Sequence, residues 1–269
     1  MRPRRGKLRF ATFLAPNMFP VYAFIVDAIG RELGSGAELV VGTSFDQFGD
    51  GEVDAGFICG LLYVQLTRRS PAPIELLAAP VIRGDRYAGR PIYFSDVIVK
   101  RDSPARTFAD LHGRSWAYND PDSHSGYNLT RHHLVTMGET RGFFSRVIEA
   151  GFHQRAVRMV ATGEVDAAAI DSQVLAIELR DHPDLAEMLR VIETLGPSTI
   201  QPVVAARHLP VDVKAALRAA LLRLGNDPSA RKELDRGFVD RFVPVIDRDY
   251  DDIRGMLAAA EHAGFLTLA

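Results

Sequence analysis

The chain has 269 residues, 47% apolar and 25% charged, a composition that builds a folded core and excludes a disordered or fibrous protein. Lys plus Arg number 32 against 34 Asp plus Glu, a formal charge of -2, which leaves no basic field to hold nucleic acid. The single cysteine, Cys59, excludes a disulfide framework and a multi-cysteine metal site, and no apolar run approaches the roughly 18–20 residues of a membrane-spanning helix.

Met1 to Lys7 is basic, like the opening of a secretion signal. The segment after it, Leu8-Arg9-Phe10-Ala11-Thr12-Phe13-Leu14, contains a charge, lacks a small-residue cleavage site and runs into the turn-forming Pro16-Asn17. It reads as a first strand, with Leu8, Phe10 and Thr12 at alternate positions. The expected location is cytoplasmic if the sequence is complete as given, and periplasmic or lipid-anchored outside the cell if a leader has been removed.

Phe19 to Leu33 reads as a helix, with Val21, Phe24, Ile25, Ala28 and Ile29 on one face and Gly34 as its stop. Glu38 to Val41, Ala55 to Ile58, Leu76 to Ile82 and Ile92 to Lys100 read as strands, with Gly84, Gly89 and Pro91 turning the chain between the last two. Arg83, Arg86 and Arg90 make that loop basic. A second series starts near Arg101 to Pro104. Its strands are Ser115 to Tyr118, Ala167 to Ile170, Leu189 to Glu193 and Val203 to Ala206; its helices are Ser125 to Met137, Gln154 to Thr162 and Gln173 to Arg180. The last part, with Val211 to Leu224, Pro228 to Leu234 and Tyr250 to His262, reads as wholly helical. The alternation predicts an α/β protein, and the length predicts either one large unit or two lobes.

One internal echo supports two lobes. Gly51-Glu52-Val53-Asp54-Ala55-Gly56 recurs as Gly163-Glu164-Val165-Asp166-Ala167-Ala168, each a tight turn leading into a short apolar strand. A helix then starts near Gly60 in one copy and Ser172 in the other. In register, Cys59 falls opposite Asp171, both at the carboxyl ends of strands, the edge at which open α/β sheets bind ligands.

Tyr118-Asn119-Asp120-Pro121-Asp122-Ser123-His124-Ser125-Gly126-Tyr127-Asn128 follows a strand and opens a helix. Small hydroxyl residues and Gly there leave backbone N–H groups approachable, and the helix dipole favours an anion. Ser123, Ser125 and the His124 imidazole would add side-chain donors, with Asp120 and Asp122 turned away. The plainer reading is N-capping by Ser123 beside a solvated histidine.

This stretch resembles the S-T-S-G segment of the phosphonate/phosphite-type (PhnD-like) solute-binding proteins of ABC importers. Other pieces agree in order: the first echo, Tyr93-Phe94-Ser95-Asp96-Val97-Ile98-Val99, Ser103-Pro104 before Phe108-Ala109-Asp110-Leu111-His112-Gly113-Arg114, and Gly151-Phe152-His153-Gln154 before the second echo. The resemblance runs from about Leu8 to Ala206. It implies a two-lobed type II periplasmic-binding-protein fold whose lobes close on a small ligand. Residues 1–100 and 203–269 would form the first lobe and 101–202 the second, with crossovers near 99–102 and 198–203. It also implies that Ser123 and Ser125 bind the anion, that Tyr93 and Ser95 line the cleft from an edge strand, and that Asp171 ends the second-lobe strand. His124 departs from the family by replacing a small hydroxyl residue.

Other residues stand open between two readings. Cys59 would face the cleft, as a thiol activated by His124 or His153 or as a small buried hydrophobe. His153 matches a family histidine and would contact ligand or simply start its helix. Asn17, ending the first strand's loop, would reach the cleft. Gly60 starts a helix from which Tyr63 would project, and Gln201, before Pro202, sits at the second crossover. No nucleotide-binding, metalloprotease or nucleophile-elbow motif occurs, and no cofactor or metal is expected. The leading expectation is non-catalytic binding of a small anionic, phosphonate- or phosphite-like solute, with an ABC permease and ATPase as partners. The alternatives are a cytoplasmic enzyme on the same fold using Cys59, His124 and His153, or a ligand-sensing subunit.

Overall fold

The computed structural model describes residues 7–268; residues 1–6 of the basic opening lie outside the described residues. The chain forms β1 (Leu8–Thr12), α1 (Phe19–Leu33), β2 (Ala37–Val41), β3 (Ala55–Phe57), α2 (Gly60–Thr67), β4 (Ile74–Ile82), β5 (Ile92–Lys100) and β6 (Ser115–Tyr118). It continues through α3 (Leu129–Met137), β7 (Arg146–Glu149), α4 (His153–Thr162), β8 (Ala167–Asp171), α5 (Ser172–Asp181) and α6 (Pro183–Met188). Then follow β9 (Leu189–Thr199), β10 (Val203–Ala206), α7 (Val211–Leu224), α8 (Arg231–Arg236), β11 (Val239–Val243) and α9 (Asp251–His262).

Two compact units result. One holds the chain up to Ile92 together with Ile200–Tyr250; the other holds Tyr93–Thr199 and the chain from Asp251. The first unit carries a six-stranded sheet in the order β11-β4-β10-β3-β1-β2. β1 pairs in parallel with both β2 and β3, so Phe10 and Ala11 are fully buried despite lying on opposite faces. α1 covers the sheet with Val21, Tyr22, Ile25, Val26 and Ile29, and Gly34 ends it at φ 63°.

The second unit carries a five-stranded sheet in the order β7-β6-β8-β5-β9. One face packs on the aromatic group of Phe108, Trp116, Phe143 and Phe144; the other packs Ala117, Val157, Val160 and Ile170. The two echo turns are built alike. The Asp54 carboxylate accepts from Arg9 N–H at 2.9 Å, and the Asp166 carboxylate accepts from Ser115 N–H at 2.8 Å. Each turn thus fastens the start of one parallel strand, β1 or β6, to the approach of the next, β3 or β8. The glycines ahead of them, Gly51 and Gly163, take φ of 74° and 80°, which a side chain would strain.

Four expectations need correction. The C-terminal part is not wholly helical: β11 pairs antiparallel with β4, its alternation interrupted by a register shift between Val239 and Arg241. The unit boundaries fall between Ile92 and Tyr93 and between Thr199 and Ile200, and a third lies between Tyr250 and Asp251. β5 joins the second unit because Ser95 to Val99 pair with Asp171 to Ala167, which makes it an interior strand and not an edge. The chain from Asp251 does not return to the first unit, because Met256, Phe265 and Leu268 pack into the aromatic core around Trp116. The Phe265→Ala variant is expected to lower stability by about 3 kcal/mol through the cavity it leaves. Urea unfolding measures the loss, and hydrogen exchange should show it concentrated in Tyr93–Thr199.

Candidate functional site

β6, β7 and β8 run parallel or share parallel neighbours, so Tyr118, Glu149 and Asp171 end at one edge of the second sheet. Antiparallel β5 brings its amino end, with Tyr93 and Ser95, to that same edge. The loops leaving it start helices at His124, His153 and Ser172.

The turn His124–Asn128 is a π-helical turn that runs directly into α3. Its width shows in the bond from Asn128 N–H back to the Ser123 carbonyl at 3.0 Å. Ser123 is the N-cap: its Oγ accepts from Gly126 N–H at 3.1 Å, which leaves its own hydroxyl hydrogen to donate. Ser95, fully buried on β5, donates to the Ser125 carbonyl at 2.8 Å and so supports the turn from beneath. Gly126 permits a close approach here, since a Cβ on it would lie 1.9 Å from Asn119 Oδ1 and 3.2 Å from His153 Cε1. Asp120 and Asp122 sit in the preceding turn, where Asp120 accepts from Asp122 N–H at 2.7 Å.

Ser125 Oγ lies 3.1 Å from His153 Nε2, and His153 Nδ1, buried, has no partner among the described residues. Burial pushes His153 down to about 3, so its ring is neutral with one hydrogen. If Nε2 carries that hydrogen and donates it, the Ser125 hydroxyl stays available; if Ser125 donates, the hydrogen is on Nδ1. Either arrangement leaves one donor unspent beside the helix start.

His124 differs from the expected solvated donor. It is fully buried, with Nε2 at 3.0 Å from Ser198 Oγ and Nδ1 at 3.1 Å from the Asn128 amide nitrogen. Burial, followed by the nearby His132, pushes it down to about 3. Both nitrogens are engaged, which removes it as a general base as well as an anion donor. Asp171 is turned into α5, whose Gln173 and Val174 N–H groups it caps at 2.8 and 3.2 Å. Tyr93 is buried with its ring 6.3 Å from His124.

In the first unit, Pro202 accepts from Ile58 N–H and Val203 pairs with Phe57, so Gln201 lies beside the segment leading to Cys59. Asn17 follows β1 at the same sheet edge, since Phe13 N–H donates to Phe57 O. Half-buried Cys59 is the N-cap residue of α2, and Gly60 is the first residue of that helix. Asp171 occupies the matching N-cap position before α5, so the echo register holds. Tyr63 donates to Asp247 at 2.7 Å and tilts against Tyr250 at 4.7 Å. Arg83 of the basic loop is paired with Asp235 and Asp240. Among the described residues, no group of His, Cys, Asp and Glu could hold a metal ion and no helix is long and apolar enough to cross a membrane.

Sequence reasoning missed Asn119, Asn128, Arg131 and Ser198. Gly126 could have signalled the close approach of Asn119, and the four-residue spacing of His124 and Asn128 could have signalled their contact. Nothing local marks Ser198, which is 74 residues from its partner.

Residues 11–250 match the family of periplasmic phosphonate substrate-binding proteins of ABC transporters, and the chain belongs to that family. The phosphonates-binding periplasmic protein of Escherichia coli K12 is 26% identical over 153 residues, 55% of this chain; the match spans 45% of that protein's length. A solved binding-protein component of a Pseudomonas aeruginosa ABC phosphonate transporter superposes with a TM-score of 0.81 at 18% identity, over 93% of this chain and 85% of the other. PhnD1 from Prochlorococcus marinus, solved with methylphosphonate, gives 0.79 at 16% identity over 97% and 99% of the two chains. The fold is the type II periplasmic-binding-protein fold, as the sequence resemblance implied.

The two buried histidines make stability depend on pH. Their folded values lie below the ordinary 6.5, so as pH falls the unfolded chain takes up protons first. Stability is fully present above about pH 6.5 and declines toward about pH 3, by roughly 1.4 kcal/mol per pH unit for each histidine. Urea midpoints measured across this range should show that slope, and His153→Gln should remove about half of it.

Proposed function

We propose that the chain binds a small phosphonate- or phosphite-like oxyanion at the Ser123–Gly126 helix start, as the substrate-binding component of an ABC importer. The observation that carries this reading is the set of unspent donors there. The Ser123 hydroxyl has its hydrogen to give, and the Ser125–His153 pair retains one more. First-turn N–H groups, which lack acceptors within their own helix, and the helix dipole add to them. Two carboxylates near the turn are engaged elsewhere: Asp171 caps α5 and Asp120 accepts within its own turn. Family membership supports work outside the cytoplasmic membrane, with an ABC permease and ATPase as partners that receive the solute.

Titration calorimetry with methylphosphonate, phosphite, phosphate and methanesulfonate tests the reading. At least one phosphorus oxyanion should bind with one-to-one stoichiometry. Ser125→Ala should weaken it by about 1.5–3 kcal/mol, the range for a hydrogen bond to a charged group. An absence of binding by all four, or a Ser125→Ala variant that binds as well as wild type, would overturn it.

A further inference from the structure

His124 stands between the two serines, yet its side chain is wholly committed to the protein interior. Arg131, itself buried, donates to Asn128 Oδ1 at 2.9 Å, which fixes that amide with its nitrogen toward His124. Asn128 Nδ2 is therefore the donor and His124 Nδ1 the acceptor, at 3.1 Å. In a neutral ring the single hydrogen then resides on Nε2 and is given to Ser198 Oγ at 3.0 Å. Ser198 directs its own hydrogen to Met256 Sδ at 3.7 Å. At the far end Arg131 is anchored by the Leu266 carbonyl at 2.9 Å and lies over the Tyr127 ring at 5.0 Å. The donors and acceptors agree in direction from Arg131 to Met256. The chain ties the π turn at once to the end of β9 and to the residues after α9.

We propose that His124 is a positioning residue for the oxyanion site: held as the Nε2–H tautomer, it braces the turn that carries Ser123 and Ser125 against Ser198 without touching the ligand. The proposal rests on the binding reading above. A small hydroxyl residue at this position could not span from the turn to Ser198 and accept from Asn128 together. The imidazole does both, because its two nitrogens lie on opposite sides of a rigid ring.

Two measurements on the full chain test it. Imidazole nitrogen NMR should show Nε2 protonated and Nδ1 bare, unchanged between about pH 8 and pH 6, because burial suppresses the charged form. Calorimetry with methylphosphonate should show His124→Leu weakening binding by about 10-fold or more and Ser198→Ala by about 5-fold, with the double variant no weaker than His124→Leu alone. His124→Gln, which keeps a donor toward Ser198, should recover most of the loss. A hydrogen on Nδ1, additive effects of the two substitutions, or equal binding by His124→Leu would each overturn the proposal. Should His124→Leu fail to fold, Ser198→Ala and the tautomer decide. If wild type binds no phosphorus oxyanion the binding reading fails, and the tautomer still tests the brace separately.

Discussion

A helix that starts beneath the protein surface presents N–H groups that its own turns cannot satisfy, and the second unit is arranged around that demand. Ser123 meets part of it by capping Gly126, while Ser95 and Ser198 hold the turn from two neighbouring strands. What is left over includes the Ser123 hydroxyl hydrogen and one hydrogen of the Ser125–His153 pair, beside the buried Asn119 Oδ1. A protein that buries such groups must supply an acceptor or accept a cost of about 1–3 kcal/mol for each. The groups in contact with the Ser123 and Ser125 side chains are neutral, and Arg131 reaches the turn through Asn128 and the Tyr127 ring.

The two units share a construction that sets strand ends side by side at one edge of each sheet. In both, a glycine in the left-handed region leads to an aspartate that receives an N–H from the start of a parallel neighbour, and a short strand of small residues then runs toward a helix N-cap. The small residues permit close packing of helices on the sheet, and the parallel pairing sets the strand ends side by side. Cys59 and Asp171 occupy matching positions with different chemistry, one a half-buried thiol and the other a buried capping carboxylate.

Much of this was legible because the signals were local. Phe19 to Leu33, Ser115 to Tyr118, Val203 to Ala206 and Val211 to Leu224 are found with the bounds that their apolar periodicity and end residues define. The misses have physical causes. Asp240 and Arg241 interrupt β11 at a register shift, and β9 continues past the expected end at Glu193, through Gly196 and Pro197, along the edge of its sheet. The helix start could be seen in Ser123-His124-Ser125-Gly126, but the direction of His124 could not. That depends on Ser198 and on a tail whose place is set by burying Phe265 and Leu268.

The division of the chain has a consequence for its synthesis. Neither unit is continuous: the first needs strands β10 and β11 from late in the sequence, and the second needs α9 and the residues through Leu268 to close its aromatic core. A ribosome working from the amino end therefore releases neither unit in finished form until the strands and helix that close it have been made. Until then each unit lacks part of its core, and the first, complete at Tyr250, closes only shortly before the second, whose core includes Leu268.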